Sequence, residues 1–194
     1  MLVVKLGGSL YQTDNLRAWL NKLDELSEKQ PIVIVPGGGP FADQVRNAQQ
    51  QHQFDDSYAH QMAILAMSQF GLLLQALTAD CQSFHYPGAQ LENHSGLAVW
   101  LPTLSLSCVP ELAHSWQMTS DSLALWLAQQ LQANQLALVK SCSLPEHRLP
   151  SELSALGIID KAFPALYQRK PLNLELFTAQ DHEHIKYKTS GLYL

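Results

Sequence analysis

Two strand-like runs that break into glycines within the first forty residues constrain this chain more than any other feature. The first is LVVKLGGS, residues 2–9, and the second is IVIVPGGGPFADQVR, residues 32–46. Both runs are continuously apolar apart from Lys5, as strands covered on both faces must be. Each then gives way to glycines and a polar stretch. Gly7 and Gly8 place no Cβ between the backbone and a ligand. N–H groups at strand-to-helix turns attract anions, and a helix N-terminus adds partial positive charge. Lys5, two residues upstream, brings a full positive charge to the same place. In open α/β sheets ligands collect at the carboxyl ends of strands. The paired loops therefore predict a phosphate cradle, whereas either loop alone reads more readily as a tight turn beside a surface lysine.

The rest of the chain continues the alternation. Asp14 is the expected cap of a helix that buries Leu16, Trp19, Leu20 and Leu23. Pro40 suits the first turn of a second helix. Residues 49–60 are polar, and a long helix follows to about Ala79. Further strands are expected at Leu97–Leu101, Leu104–Cys108, Leu136–Val139 and Leu172–Phe177, with helices at Thr119–Gln132 and Ala162–Gln168. Residues 141–154 read as loop, and the tail from Thr178 is polar. This order predicts an α/β protein, a three-layer sandwich with a mainly parallel central sheet. With 194 residues and 46% apolar content the chain can bury one substantial core, so a single domain over 1–194 is expected.

Several function classes are disfavoured. The net charge is −5 and no basic block occurs, so nucleic acid is not an expected partner. The most apolar segment, Ala63–Leu77, is too short to span a bilayer and contains Ser68, Gln69 and Gln75, so no membrane partner is expected. Cys81, Cys108 and Cys142 form no CxxC pair, which fits a reduced cytoplasm. His182-Glu183-His184 lacks a third ligand, so no metal site is assigned. GxxxxGK[ST] is absent. Gly37, Gly39 and Ala42 fit the dinucleotide pattern G-x-G-x-x-A, but Asp55 and Asp56 come too early for the acid that pattern needs about twenty residues on.

A third stretch, HSWQMTSDSLALWLA, residues 114–128, places Asp121 at a helix start. An acid there is commonly a cap or a partner of the helix dipole. It can also orient lysines that neutralise a transferring phosphoryl group.

Taken together, VVKLGGS, VPGGGPFADQVR and TSDSLALWLA resemble the amino acid kinase family, the fold of acetylglutamate, aspartate and uridylate kinases. Within it the pattern is similar to the small branch of aminomethylfuranyl-methyl phosphate kinases of methanofuran synthesis. The resemblance covers most of residues 2–140 and returns weakly at Ile159–Pro164. It implies an ATP-dependent kinase with Mg2+, acting on a small phosphate or carboxylate acceptor, and a homo-oligomer. Lys5 would contact the transferring phosphates, which Gly7, Gly8 and Ser9 cradle. Asp121 would orient the catalytic lysines. Lys161 is the nearest match to the second of these and Lys140 a further candidate, with Lys140, Thr119 and Ser120 on the nucleotide and phosphate side. Gly37, Gly38 and Gly39 would hold the acceptor. Arg46, His60 and His114 are branch-specific acceptor candidates, although a solvated arginine and satisfied histidines are the plainer readings. The acceptor half would be about 1–120 and the nucleotide half about 121–194. That second half is shorter than in most relatives, and VKSCSLPEHRLPSEL stands where an acidic nucleotide-seating segment is usual. A catalytically silent, metabolite-binding relative is the alternative this departure raises.

Overall fold

The uninterrupted apolar runs end where both of their faces are covered. In the computed structural model, which describes residues 1–87 and 95–186, strands β1 (Leu2–Leu6) and β2 (Ile32–Pro36) are buried along their whole length. They join β3 (Gln82–Phe84), β4 (Leu97–Trp100), β5 (Gln135–Lys140) and β6 (Asn173–Thr178) in one sheet of order β3-β4-β2-β1-β5-β6. Every pairing in it is parallel. The helices are α1 (Asn15–Ser27), α2 (Gly39–His52), α3 (Asp56–Ala76), α4 (Ser120–Gln130), α5 (Pro150–Ala155) and α6 (Phe163–Arg169). No helix among the described residues is long and apolar enough to cross a membrane.

Strand alternation sorts the core into two layers. Leu2, Val4 and Leu6 of β1 pack with Leu16, Trp19, Leu20 and Leu23 of α1 on one face. Each of those buried leucines contributes about 1.5–3 kcal/mol by leaving water. Val3 of β1 and Leu136 and Leu138 of β5 pack with α4 and α6 on the other face. The same period-two geometry carries Lys5 and Lys140 onto that second face, because they follow Val3 and Leu138 by two residues. Lys5 is in register with Leu138, which leaves the two lysines at neighbouring strand ends.

Local details depart from the sequence expectation. Leu104–Cys108 is a 3-10 turn, not a strand. The sheet instead takes β3 at its edge, whose three residues carry no periodic signal. The polar region up to His60 is divided: α2 runs to His52, Gln53 takes the left-handed conformation, and Asp55 caps α3 by accepting from the Ser57 amide at 2.7 Å. Asp14 is helical and makes no side-chain cap. Residues 150–155, expected as loop, form α5 with Pro150 in its first turn. Residues 187–194 of the polar tail lie outside the described residues.

Candidate active site

The site forms at the carboxyl end of the sheet. From β1 the chain first moves to β2 on one side, and it later crosses to β5 on the other. A crevice at such a switch of direction is where ligands bind in open α/β sheets. The two glycine loops meet there in direct backbone contact. A Cβ on Gly8 would overlap the backbone N and Cα of Gly39, and one on Gly37 would overlap the backbone N of Gly8. Gly39 also has φ +55°, which favours glycine. The loops therefore approach as closely as they do because neither carries side chains at these positions.

Below the loops, Lys5, Asp121 and Lys140 form one buried charged group. Lys5 Nζ is 2.9 Å from Asp121 Oδ1, and Lys140 Nζ donates to Asp121 Oδ2 at 2.6 Å. The Lys5 contact is close but off the direction of a hydrogen bond, so charge holds Oδ1 more than an aligned N–H does. The Lys5 and Asp121 side chains are each 6% exposed and that of Lys140 is 12%. Burial pushes the Asp121 carboxyl up, but Lys5 and Lys140 outweigh it and hold the group below the ordinary carboxylate value. Burial and the charge of Lys5 push Lys140 below the ordinary lysine value, against the pull of Asp121 and Asp160. The unit is thus two cationic side chains fixed by one anion, at the place where the glycine loops open.

A cavity of 420 Å³ lies beside this unit. It is lined by Gly8, Ser9, Gly38, Gly39, Arg46, His60, Thr119 and Ser120 among the residues singled out from the sequence. Thr119 and Ser120, expected on the nucleotide side, therefore share the wall with the acceptor candidates. His114 stands behind this lining, its ring stacked on His60 at 5.3 Å and 14°. Burial, with the charge of His114, pushes the His60 ring below the ordinary histidine value, so His60 is neutral at pH 7. Arg46 is at the rim, where its guanidinium lies 4.3 Å from the Trp116 ring centroid and 3.2 Å from Asp43. Trp116 Nε1 donates to Gln49 Oε1 at 2.7 Å, which ties the loop ahead of α4 to α2.

Lys161 is not brought to this centre. It is exposed on the turn ahead of α6 and makes no ion pair among the described residues, whereas Lys140 occupies the second cationic position beside Asp121. Sequence reasoning missed Asp160, whose carboxylate accepts from both Thr119 and Ser122 at the start of α4. The faint signal was the return of the family pattern at Ile159–Pro164, which drew attention to Lys161 instead. It also missed Tyr11, Met67 and Met118, which line the cavity through contacts distant in sequence. Among the described residues no group of three His, Cys, Asp or Glu side chains could hold a metal ion.

The amino acid kinase family model matches residues 1–143. Over 199 residues the chain is 26% identical to the [5-(aminomethyl)furan-3-yl]methyl phosphate kinase of Methanocaldococcus jannaschii, covering 95% of this chain and 91% of that protein. Among solved structures, the uridylate kinase of Archaeoglobus fulgidus superposes with a TM-score of 0.67 at 14% identity, covering 91% of this chain and 90% of its own. An isopentenyl phosphate kinase in complex with substrate superposes with a TM-score of 0.53 at 13% identity, covering 94% and 93%. At those identities the structures establish the shared fold, and the family match extends over most of the chain. The chain belongs to the amino acid kinase family and is a phosphotransferase.

Proposed function

We propose that the protein transfers the γ-phosphoryl group of ATP to a phosphate oxygen of a small phosphomonoester. The observation that carries this reading is the Lys5–Asp121–Lys140 unit beneath two touching glycine loops. Two phosphate-bearing molecules can approach only if their charge is neutralised. Ammonium groups held in place by a buried carboxylate do this without reorganising during the reaction. In the step itself an acceptor oxygen forms a bond to the γ-phosphorus. The bond from that phosphorus to the β,γ-bridging oxygen breaks, and ADP leaves with the electron pair.

The proton inventory favours an acceptor that is already ionised, a phosphomonoester or a carboxylate, over an alcohol. A phosphomonoester with a second pKa near ~6 is already ionised at neutral pH, so its oxygen attacks without a general base. An alcohol would need one. Of the carboxylates near the cavity, Asp121 is committed to two lysines, and Asp43 is an exposed group paired with Arg46 at the rim. The Methanocaldococcus jannaschii relative is named for a flat, amine-bearing phosphomonoester. A 420 Å³ cavity with Tyr11, Trp116, Met67 and Met118 on its walls suits a ligand of that shape. The acceptor would enter there, within the half formed by residues 1–120. ATP would approach from residues 121–194, with its terminal phosphate at Lys140 and Gly7. Magnesium would be carried by the nucleotide's phosphate oxygens and offset their charge.

A homo-oligomer belongs to the same proposal. Tyr58, Met62, Leu65 and Leu72 project outward from α3 at helical spacing, and no Asp, Glu, Lys or Arg occurs between Asp56 and Asp80. A face without charge is suited to a second copy of itself. Light scattering of the wild type and of Leu65→Glu should show a multimer that the charge dissociates. The test of the main reading is ADP release with ATP, magnesium and [5-(aminomethyl)furan-3-yl]methyl phosphate. Acceptor-dependent release supports it, and release that ignores the acceptor refutes it.

A further inference from the structure

We propose that Asp160 is a positioning residue of the phosphoryl-transfer centre: it clamps the first turn of α4 and so holds Asp121 between Lys5 and Lys140. This rests on the kinase reading given above.

The first turn of a helix leaves backbone N–H groups without partners, and the N-cap side chain ordinarily accepts from one of them. The N-cap of α4 is Thr119, and its side chain makes no such bond. The cap comes instead from a residue 41 positions further along the chain. Asp160 Oδ2 accepts from the Thr119 amide at 2.8 Å, from Thr119 Oγ1 at 2.9 Å and from the Ser122 amide at 3.1 Å. Asp160 Oδ1 accepts from Ser122 Oγ. Asp121 is thus pinned by the residue after it and by the residue two before it. The Ala162 amide also donates to the Gln117 carbonyl at 2.9 Å, so the turn ahead of α6 is fastened to the loop before the cap as well as to the helix after it.

Two consequences follow. Two of the amides at the start of α4, those of Thr119 and Ser122, are spent on a protein carboxylate rather than on a ligand. The same clamp joins the wall of the acceptor cavity, where Thr119 and Ser120 lie, to the segment that precedes α6. Asp160 also bears on Lys140, which is faced by Lys5 from β1, Asp121 from α4 and Asp160 from the turn. The negative charge of Asp160 favours the protonated form of Lys140 against burial and Lys5.

Two substitutions separate positioning from a simple cap. Asp160→Asn keeps an oxygen for the three bonds to Oδ2 and an amide that can donate to Ser122 Oγ. Asp160→Ala keeps none of them. With ATP, magnesium and [5-(aminomethyl)furan-3-yl]methyl phosphate as the probe acceptor, Asp160→Ala should lower kcat about a hundredfold, the scale of a displaced catalytic group. Its KM for the acceptor should stay within about threefold, because the lining from α2 and α3 does not rest on the clamp. Asp160→Asn should restore most of the lost rate. An alanine variant within about twofold of wild type, or equal losses in both variants, would overturn the proposal. If the alanine variant does not fold, the pH profile of Asp160→Asn decides. An alkaline limb of kcat shifted to lower pH supports the proposal, and an unmoved limb overturns it. If wild type does not turn over the probe, the acceptor reading fails, and hydrogen exchange of residues 119–125 decides for Asp160. Faster exchange in the alanine variant than in the asparagine variant supports the clamp, and wild-type exchange in both overturns it.

Discussion

The walls on the two sides of the Lys5–Asp121–Lys140 unit are built by different means. Toward α2 and α3 the wall comes from contiguous chain: a strand, a glycine loop and the helix that follows it. Gly8 against Gly37 and Gly39 sets the spacing, and long helices of 14 and 21 residues supply Arg46, His60 and Met67. Toward α5 and α6 the helices have 6 and 7 residues, and the chain between β5 and α5 is irregular. Leu153, Ile159, Phe163 and Leu166 pack that side into the core, and the Asp160 clamp ties it to the start of α4. The first wall is made by local backbone geometry and tolerates little change in it. The second is aligned with the site by the bonds of one carboxylate, Asp160, so activity should be sensitive to that side chain.

The largest expected effect tests which lysine completes the site. Lys140→Ala should lower kcat by about a thousandfold, as loss of a preorganised charge does, whereas Lys161→Ala should change it by less than about threefold. Steady-state ADP release distinguishes them, and the reverse order would move the second cation to the turn ahead of α6. Next, Gly8→Ala forces a methyl group into the backbone of Gly39. It should cost about 1–3 kcal/mol in denaturant unfolding, with loss of turnover. Arg46→Ala should raise the acceptor KM about tenfold and leave the ATP KM unchanged, because Arg46 is at the rim of the acceptor cavity. An equal rise in both would erase the distinction between the walls.

The smallest effect concerns pH. The folded His60 ring lies below its unfolded value near 6.5, so between those two values the unfolded state binds more protons. Stability contributed by neutral His60 is present above pH 6.5 and is lost as pH falls below it. Melting temperature measured from pH 7.5 down to 5.5 should fall more steeply for wild type than for His60→Gln. Asp121 has the same sign at lower pH: its contribution is present above the ordinary carboxylate value and is lost as pH falls through its depressed folded value.

The same division explains what the sequence revealed. Lys5, the glycine loops and Asp121 were legible because each is a short segment whose chemistry and local geometry coincide. Two-residue alternation from Val3 and Leu138 also aligns Lys5 with Lys140, but recognising it required knowing that β1 and β5 are neighbours. The choice of Lys161 over Lys140 failed to match the geometry for that reason. Asp160 was hidden because a cap supplied from 41 residues away leaves no mark beside the helix it caps. Strand β3 was missed and Leu104–Cys108 misread because a three-residue edge strand and a 3-10 turn carry too few residues for a period. The Arg46–Trp116 stack was equally unreadable, since it joins α2 to a loop far along the chain.

The most direct measurement is acceptor-dependent ADP release by wild type and Lys5→Ala across phosphomonoesters, phosphate-free alcohols and carboxylates. Release with a phosphomonoester, and its loss in Lys5→Ala, is the predicted result. Wild type that forms no ADP with any class, or a Lys5→Ala variant as fast as wild type, would contradict a phosphoryl-transfer centre built on Lys5, Asp121 and Lys140.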